Sequence, residues 1–179
     1  MIIALAGRRI DAPGAEIKRF PVDNIELVRW RLRELFGKSE PKALISSAAC
    51  GADLIALQEA GALEIRRRVI LPFDRRRFRE TSVIDRPGDW GGVYDRVLDE
   101  VESSGDLVTL SGDSDCTQAY TDANNAILAE ASALSLESQH DIRTVLVWDG
   151  APRGEDDLTK MFSNEAKARG FPIVEIKTV

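Results

Sequence analysis

The sequence predicts an α/β fold: a doubly wound, mostly parallel sheet of about six strands, with helices on both faces. Two observations predict the sheet. Short apolar runs alternate with longer segments of helical spacing, and the alternation continues from one end of the chain to the other. A third observation sets the domain count. The 179 residues, 44% hydrophobic, contain no repeat, heptad or Pro/Gly-rich linker that would cut the chain, so one domain spanning 1–179 is expected, long enough to bury its own core.

Strands are expected at about 2–6 ("IIALA"), 43–46 ("ALIS"), 68–72 ("RVILP"), 106–110 ("DLVTL"), 143–148 ("RTVLVW") and 172–177 ("PIVEIK"). Between the first two, Ile25, Val28, Leu32, Leu35 and Phe36 share one helical face, and Asp23 with Glu26 three residues on resembles a capping box. The second helix follows a run of small residues and ends near Gly61. Residues 73–105 carry a break at "DRPGDWGG", read as an irregular excursion or lid, before Tyr94, Val97, Leu98 and Val101 resume the helical period. Tyr120, Ala123, Asn124, Ile127, Leu128, Ala131 and Leu134 trace the next helix, and Leu158, Met161, Phe162, Glu165 and Ala166 the last.

Composition narrows the function. A formal charge of −6 argues against a surface built to neutralise a nucleic-acid backbone. Two cysteines, Cys50 and Cys116, give neither a disulfide framework nor a metal site, and one histidine, His140, rules against a multi-histidine centre; no metal and no cofactor are expected. The N-terminal "MIIALAGRRID" inverts the charge order of a secretory signal, and no segment approaches the roughly twenty apolar residues of a membrane span. A cytoplasmic protein with no membrane contact is the expectation.

In an open parallel sheet, ligands settle beyond the carboxyl ends of the strands, so the loops leaving those ends matter most. The first strand exits into Gly7, Arg8 and Arg9, the second into "SSAACGAD", the fourth into "SGDSDCT" and the fifth into "WDGAPRGEDD". A strand, a tight turn of Ser47, Ala48, Ala49, Cys50 and Gly51, and then a helix form an anion cradle from unpaired backbone N–H groups. The same small residues also fit a close helix-to-sheet contact. Asp149 leaves the fifth strand directly, Arg153 lies in the following turn, and Glu155, Asp156 and Asp157 open the next helix. Carboxylates there serve as nucleophile or sugar ligand, and Asp149 is the first catalytic candidate; turn and helix-dipole chemistry is the plainer account. Tyr120 and Asn124, four apart, share a helix face suited to stacking on a base and hydrogen-bonding it, or to ordinary core packing.

"IALAGRR" followed by "LISSAACGADLIALQEAG" resembles the SLOG superfamily, Rossmann-like nucleotide-binding domains that include the DNA-processing protein DprA and the cytokinin-activating LOG proteins. The resemblance implies a ligand-binding edge with Gly7 and Arg8 beside the Ser47–Gly51 loop, and a nucleotide or nucleotide-derived small molecule as partner. It implies that Asp53 orients the loop or accepts a hydrogen bond from a sugar hydroxyl; Asp53 also reads as a plain helix-start acid. A homodimer through a helical face, or a separate effector protein, is implied as a further partner. The LOG signature "PGGxGTxxE", which supplies a catalytic glutamate, is replaced here by "DGAPRGEDDLT", against a phosphoribohydrolase. The leading expectation is therefore a nucleotide-binding or sensing domain, ahead of an N-glycosidic-bond enzyme and a DprA-like single-strand binder. The last would draw on the run "EIRRRVILPFDRRRFRE", in which Asp74 and Glu80 interrupt the arginines. Neither a GxSxG elbow nor a Walker A motif is present.

Overall fold

The computed structural model describes residues 1–114 and 116–179; Asp115, within the "SGDSDCT" loop, lies outside the described residues. Six strands, β1 (Ile2–Gly7), β2 (Ala43–Ser46), β3 (Arg66–Leu71), β4 (Leu107–Thr109), β5 (Ile142–Trp148) and β6 (Ile173–Lys177), form one all-parallel sheet in the order β4-β3-β2-β1-β5-β6. The chain winds outward from β1 to β4, then crosses back to β5 on the other side of β1. This Rossmann-like doubly wound arrangement puts its topological switch between β1 and β5, whose register pairs Gly7 with Val147.

Alternation along each strand divides the core into two layers. Ile3, Leu5, Leu44, Val69, Leu71, Val145 and Val147 face α1 (Ile25–Ser39), α2 (Ala52–Ala62) and α4 (Trp90–Ser103), whereas Ile2, Ala4, Ile45, Ile70, Leu146 and Trp148 face α5 (Thr117–Ser138) and α6 (Leu158–Ala168). A short helix, α3 (Arg75–Ser82), adds Phe78 to the first layer.

Helix α2 is buried almost all round, and its buried Glu59 receives Arg29 and Arg33 of α1 at 2.7 Å each. The expected capping box at Asp23 and Glu26 does not form. Asp23 falls in a 3-10 turn, Val22–Asn24, and the N-cap Asn24 instead sends its side-chain amide to the Thr178 carbonyl, 2.9 Å away, tying α1 to the chain after β6. Strand β3 begins at Arg66, because Arg66 and Arg67 continue the ladder against Ala43 and Leu44, a polar start that apolar runs do not reveal. The break before α4 is shorter than expected, with Trp90, Gly91 and Gly92 already helical. In α6 the buried face holds Thr159, Phe162, Ser163 and Ala166, so Met161 and Glu165 lie off it. Among the described residues no helix is long and apolar enough to cross a membrane.

Candidate functional site

A cavity of about 210 Å³ opens at the carboxyl edge of the sheet, over the ends of β1, β2 and β3 and beneath the first turns of α5 and α6. Its floor is apolar, with Leu5, Ala6, Phe78, Ile127 and Leu158; its polar groups are Ser47, Asp53, Ser82, Tyr120, Asn124 and Thr159, with Arg9 and Arg153 among its cations. Pockets of this kind, mostly apolar with a few convergent polar groups, are the usual small-molecule sites.

Of the residues singled out from sequence, the fold brings Gly7, Arg9, Ser47, Ala49, Asp53, Tyr120, Asn124 and Arg153 onto this cavity. Arg8, Ala48, Cys50, Gly51 and Asp149 are not among its walls. Ala48, Cys50 and Gly51 are buried, and Ala48 and Cys50 belong to the hydrophobic core. Three of the loop's amides are also spoken for: Ala49 N–H donates to Asp53 Oδ2 at 3.2 Å, Cys50 N–H to the Ser82 carbonyl at 3.0 Å, and Ala52 N–H to the Arg8 carbonyl at 3.1 Å. These three donors, satisfied by the protein itself, are not offered to an anion. Burial pushes the Cys50 thiol up despite the neighbouring Arg9 charge, so it is held as a thiol rather than a nucleophilic thiolate.

Arg8 departs furthest from expectation. Its side chain is 1% exposed; Nε donates to Asp149 Oδ1 at 2.8 Å, Nη1 to Asp157 Oδ2 at 2.6 Å and Nη2 to the Ala151 carbonyl at 2.6 Å, with the guanidinium 5.5 Å from the Trp148 ring centre. It fastens the loop after β5 and the N-cap of α6 to the end of β1. Asp149 is correspondingly occupied: Arg8 holds one oxygen and Arg19 Nη1 the other at 2.5 Å, which leaves a twice-paired carboxylate rather than a free nucleophile. Asp157 caps α6 through Lys160 N–H at 3.0 Å; burial opposes its ionisation, but N–H groups of Arg153 and Lys160 and the Arg8 charge hold its carboxyl below the usual range.

Asp53 and Arg9 are the cavity residues with a buried side-chain atom left without a hydrogen-bond partner among the described residues, Oδ1 of the one and Nε of the other. Asp53 is 7% exposed, and its Oδ2 orients the loop through Ala49. Burial drives the carboxyl up to about 7, against the opposing pull of the Ala49 N–H and the Arg9 charge. In the unfolded chain an aspartate titrates near 3.9, so between about pH 4 and 7 the folded state binds the extra proton. This group's contribution to stability is therefore full below about pH 4, declines as pH rises and levels off above about pH 7. Asp53→Asn is expected to remove that slope and to be more stable than wild type at pH 8 by roughly 2–4 kcal/mol. Urea unfolding of both proteins at pH 5 and pH 8 checks this, and an unchanged pH slope in the variant would assign the effect to another residue.

Tyr120 and Asn124 each serve the core and the cavity. The Tyr120 ring meets Phe73 edge-on at 5.6 Å, and Asn124 Nδ2 donates to the Leu158 carbonyl at 3.1 Å, joining α5 to α6 above the cavity. Sequence reasoning missed Ser82 and Phe78, which come from α3, and did not assign Thr159, Leu5, Ala6, Ile127 or Leu158 to a cavity although they adjoin or continue segments it had singled out. The arginine-rich run, in turn, is drawn into ion pairs: Arg66 and Arg68 with Asp106, Arg67 with Glu100, Arg75 with Asp99 and Glu102, and Arg79 with Asp95. Acids of α4 and the loop before β4 thus offset charge that a phosphate-tracking surface would need bare. Among the described residues no group of three or more His, Cys, Asp or Glu side chains is placed to hold a metal ion.

The fold and site define a doubly wound α/β protein with a polar-walled cavity at its carboxyl edge. No family model matches the chain, and no curated protein matches it.

Proposed function

We propose that the protein binds a nucleotide or nucleotide-derived small molecule in the carboxyl-edge cavity, as a sensor or binding module of SLOG type. One observation carries the reading: a buried carboxyl oxygen without a partner, Asp53 Oδ1, shares a cavity with the guanidinium groups of Arg9 and Arg153. Such a site asks for a ligand with a hydroxyl or N–H donor at one point and an anion at another, joined by a body that tolerates an apolar floor. A nucleoside phosphate has these three parts. The volume is below the roughly 300–1,000 Å³ of common ligand clefts, so one ring system fits inside while the remainder lies across the mouth. The motif pair at 3–9 and 44–61 supports the same ligand class by resemblance. Cytoplasmic residence goes with this reading, as do the free thiols of Cys50 and Cys116 and a homodimer or separate effector protein as partner.

A thermal-shift screen with nucleoside mono-, di- and triphosphates, cyclic nucleotides and ADP-ribose derivatives tests it. A ligand at a hundred times its Kd adds about 2.7 kcal/mol, a rise of roughly 5–10 °C for a domain of this size. Ala123→Leu, which fills the cavity from α5, is expected to abolish the shift; a shift that survives it would put the ligand elsewhere, and a flat response to the whole panel would end the proposal.

A second reading, cleavage at the N-glycosidic bond of a nucleotide, is favoured by Asp53, a carboxyl poised near neutral pH within the cavity. Released base in the same samples, lost in Asp53→Asn, distinguishes an enzyme from a sensor.

A further inference from the structure

Beside the cavity lies a second pocket of about 180 Å³ that shares two of its walls, Arg9 and Arg153. Arg8, Arg19 and Arg86 line it as well. Its one lining carboxyl among the described residues, Asp11, is engaged by the backbone N–H groups of Arg19 and Phe20. Three carboxylates are shared among the five guanidiniums. Asp149 serves Arg8 and Arg19; Asp157 serves Arg8 and lies 3.8 Å from Arg153 Nε; Asp85 pairs with Arg9 and lies 3.5 Å from Arg86 Nε.

Positive charge is therefore in excess where it is partly withdrawn from water. Arg86 Nε is buried without a hydrogen-bond acceptor. Burial, followed by the charges of Arg8, Arg19 and Arg86, holds the Arg153 guanidinium below its ordinary value, as expected of a cation crowded by cations. Arginines solvated singly on a surface do not need one another's company; a converging set with an orphaned buried N–H is arranged for an anion with several acceptor oxygens. Its extent separates one phosphate from two. Arg9 and Arg153 line both pockets, whereas Arg86 and Arg19 line the second pocket and not the cavity.

We propose that the arginine-lined pocket is a subsite for the second phosphate of a pyrophosphate group, so that the ligand of the adjoining cavity is a nucleoside bearing a diphosphate rather than a monophosphate. The nucleoside half of this assignment rests on the reading of the cavity given above; the anion half rests on the arginines alone. A nucleoside diphosphate and a sugar-capped pyrophosphate such as ADP-ribose share the recognised chemistry.

Calorimetric titration of wild type with inorganic phosphate, inorganic pyrophosphate, AMP, ADP, UMP, UDP and ADP-ribose tests it, with Arg86→Ala and Arg86→Gln as variants whose melting temperatures are checked first. Pyrophosphate is expected to bind at least ten-fold more tightly than phosphate, and the diphosphates of the preferred base at least ten-fold more tightly than its monophosphate. Both variants are expected to lose that advantage while monophosphate affinity is retained. ADP-ribose binding more tightly than ADP assigns a group beyond the second phosphate; the reverse order assigns a terminal diphosphate, and either upholds the subsite. Arg86-dependent pyrophosphate binding without any nucleotide binding keeps the subsite and removes the nucleotide reading. Equal affinity for mono- and diphosphates, a diphosphate advantage undiminished in both Arg86 variants, or no binding of any pyrophosphate-bearing probe overturns the subsite.

Discussion

Arg8→Ala is expected to lose about 3–5 kcal/mol of folding stability, the cost of removing one partner from a buried ion-paired network. The side chain is closed to solvent, and its three hydrogen bonds reach residues 141 and more positions away, so no local rearrangement replaces them. Asp157, itself closed to solvent, would keep the N–H groups of Arg153 and Lys160 and the Arg153 guanidinium at 3.8 Å, but lose the hydrogen-bonded counter-charge it holds at 2.6 Å. Asp149 would retain Arg19 alone. The lost contact with the Trp148 face adds a smaller amount, about 0.5–2 kcal/mol. Removing charge from both sides should cost less than removing it from one: Arg8→Met combined with Asp157→Asn is expected to be more stable than the sum of the single changes, by roughly 1–3 kcal/mol. Urea unfolding at pH 7 measures the cycle. A loss below about 1 kcal/mol for Arg8→Ala would mean that the network is solvated and that Arg8 is free to serve a ligand after all.

Gly51→Ala is the second large effect, and it addresses the run of small residues before α2. Gly51 has φ +98°, which side-chain-bearing residues rarely adopt, and an added Cβ would stand 2.8 Å from the Arg8 carbonyl oxygen and 2.9 Å from the Ile10 nitrogen. Both obstacles are backbone, which cannot swing aside as a side-chain tip does. The conformation costs about 1–3 kcal/mol and the overlap about 1–3 kcal/mol more. Gly14, with φ +74° and nothing within 4 Å of an added Cβ, isolates the first part. The difference in melting temperature between Gly51→Ala and Gly14→Ala therefore reports the close approach of the two loops. Equal losses would show that the segment after β1 moves away freely, which would contradict the packing described.

The strands and helices were legible because their causes are local. Six short apolar runs and the helical faces between them carry their burial in their own spacing, and the structure departs from them mainly at polar ends such as Arg66 and Arg67. Eight of the residues singled out for a ligand reach the cavity, since a doubly wound sheet gathers its carboxyl-end loops at one edge whatever those loops contain. Individual roles were less legible. An arginine after a strand reads as an anion receptor only until a carboxylate from a distant loop arrives, and nothing near Arg8 announces Asp149 or Asp157.

By itself, then, the sequence determined a parallel α/β sheet and the order of its six strands along the chain, though not α3, because burial on both faces and helical period are written in neighbouring residues. The tertiary structure alone decided which charges are spent and which are spare. It joined Arg8 to two aspartates, closed Gly51 against the backbone of the first loop, left one oxygen of Asp53 without a partner, and assembled Arg9, Arg86 and Arg153 around a common pocket. Charge pairing acts through space between residues far apart in the chain, so it becomes visible only when the sheet has set their positions.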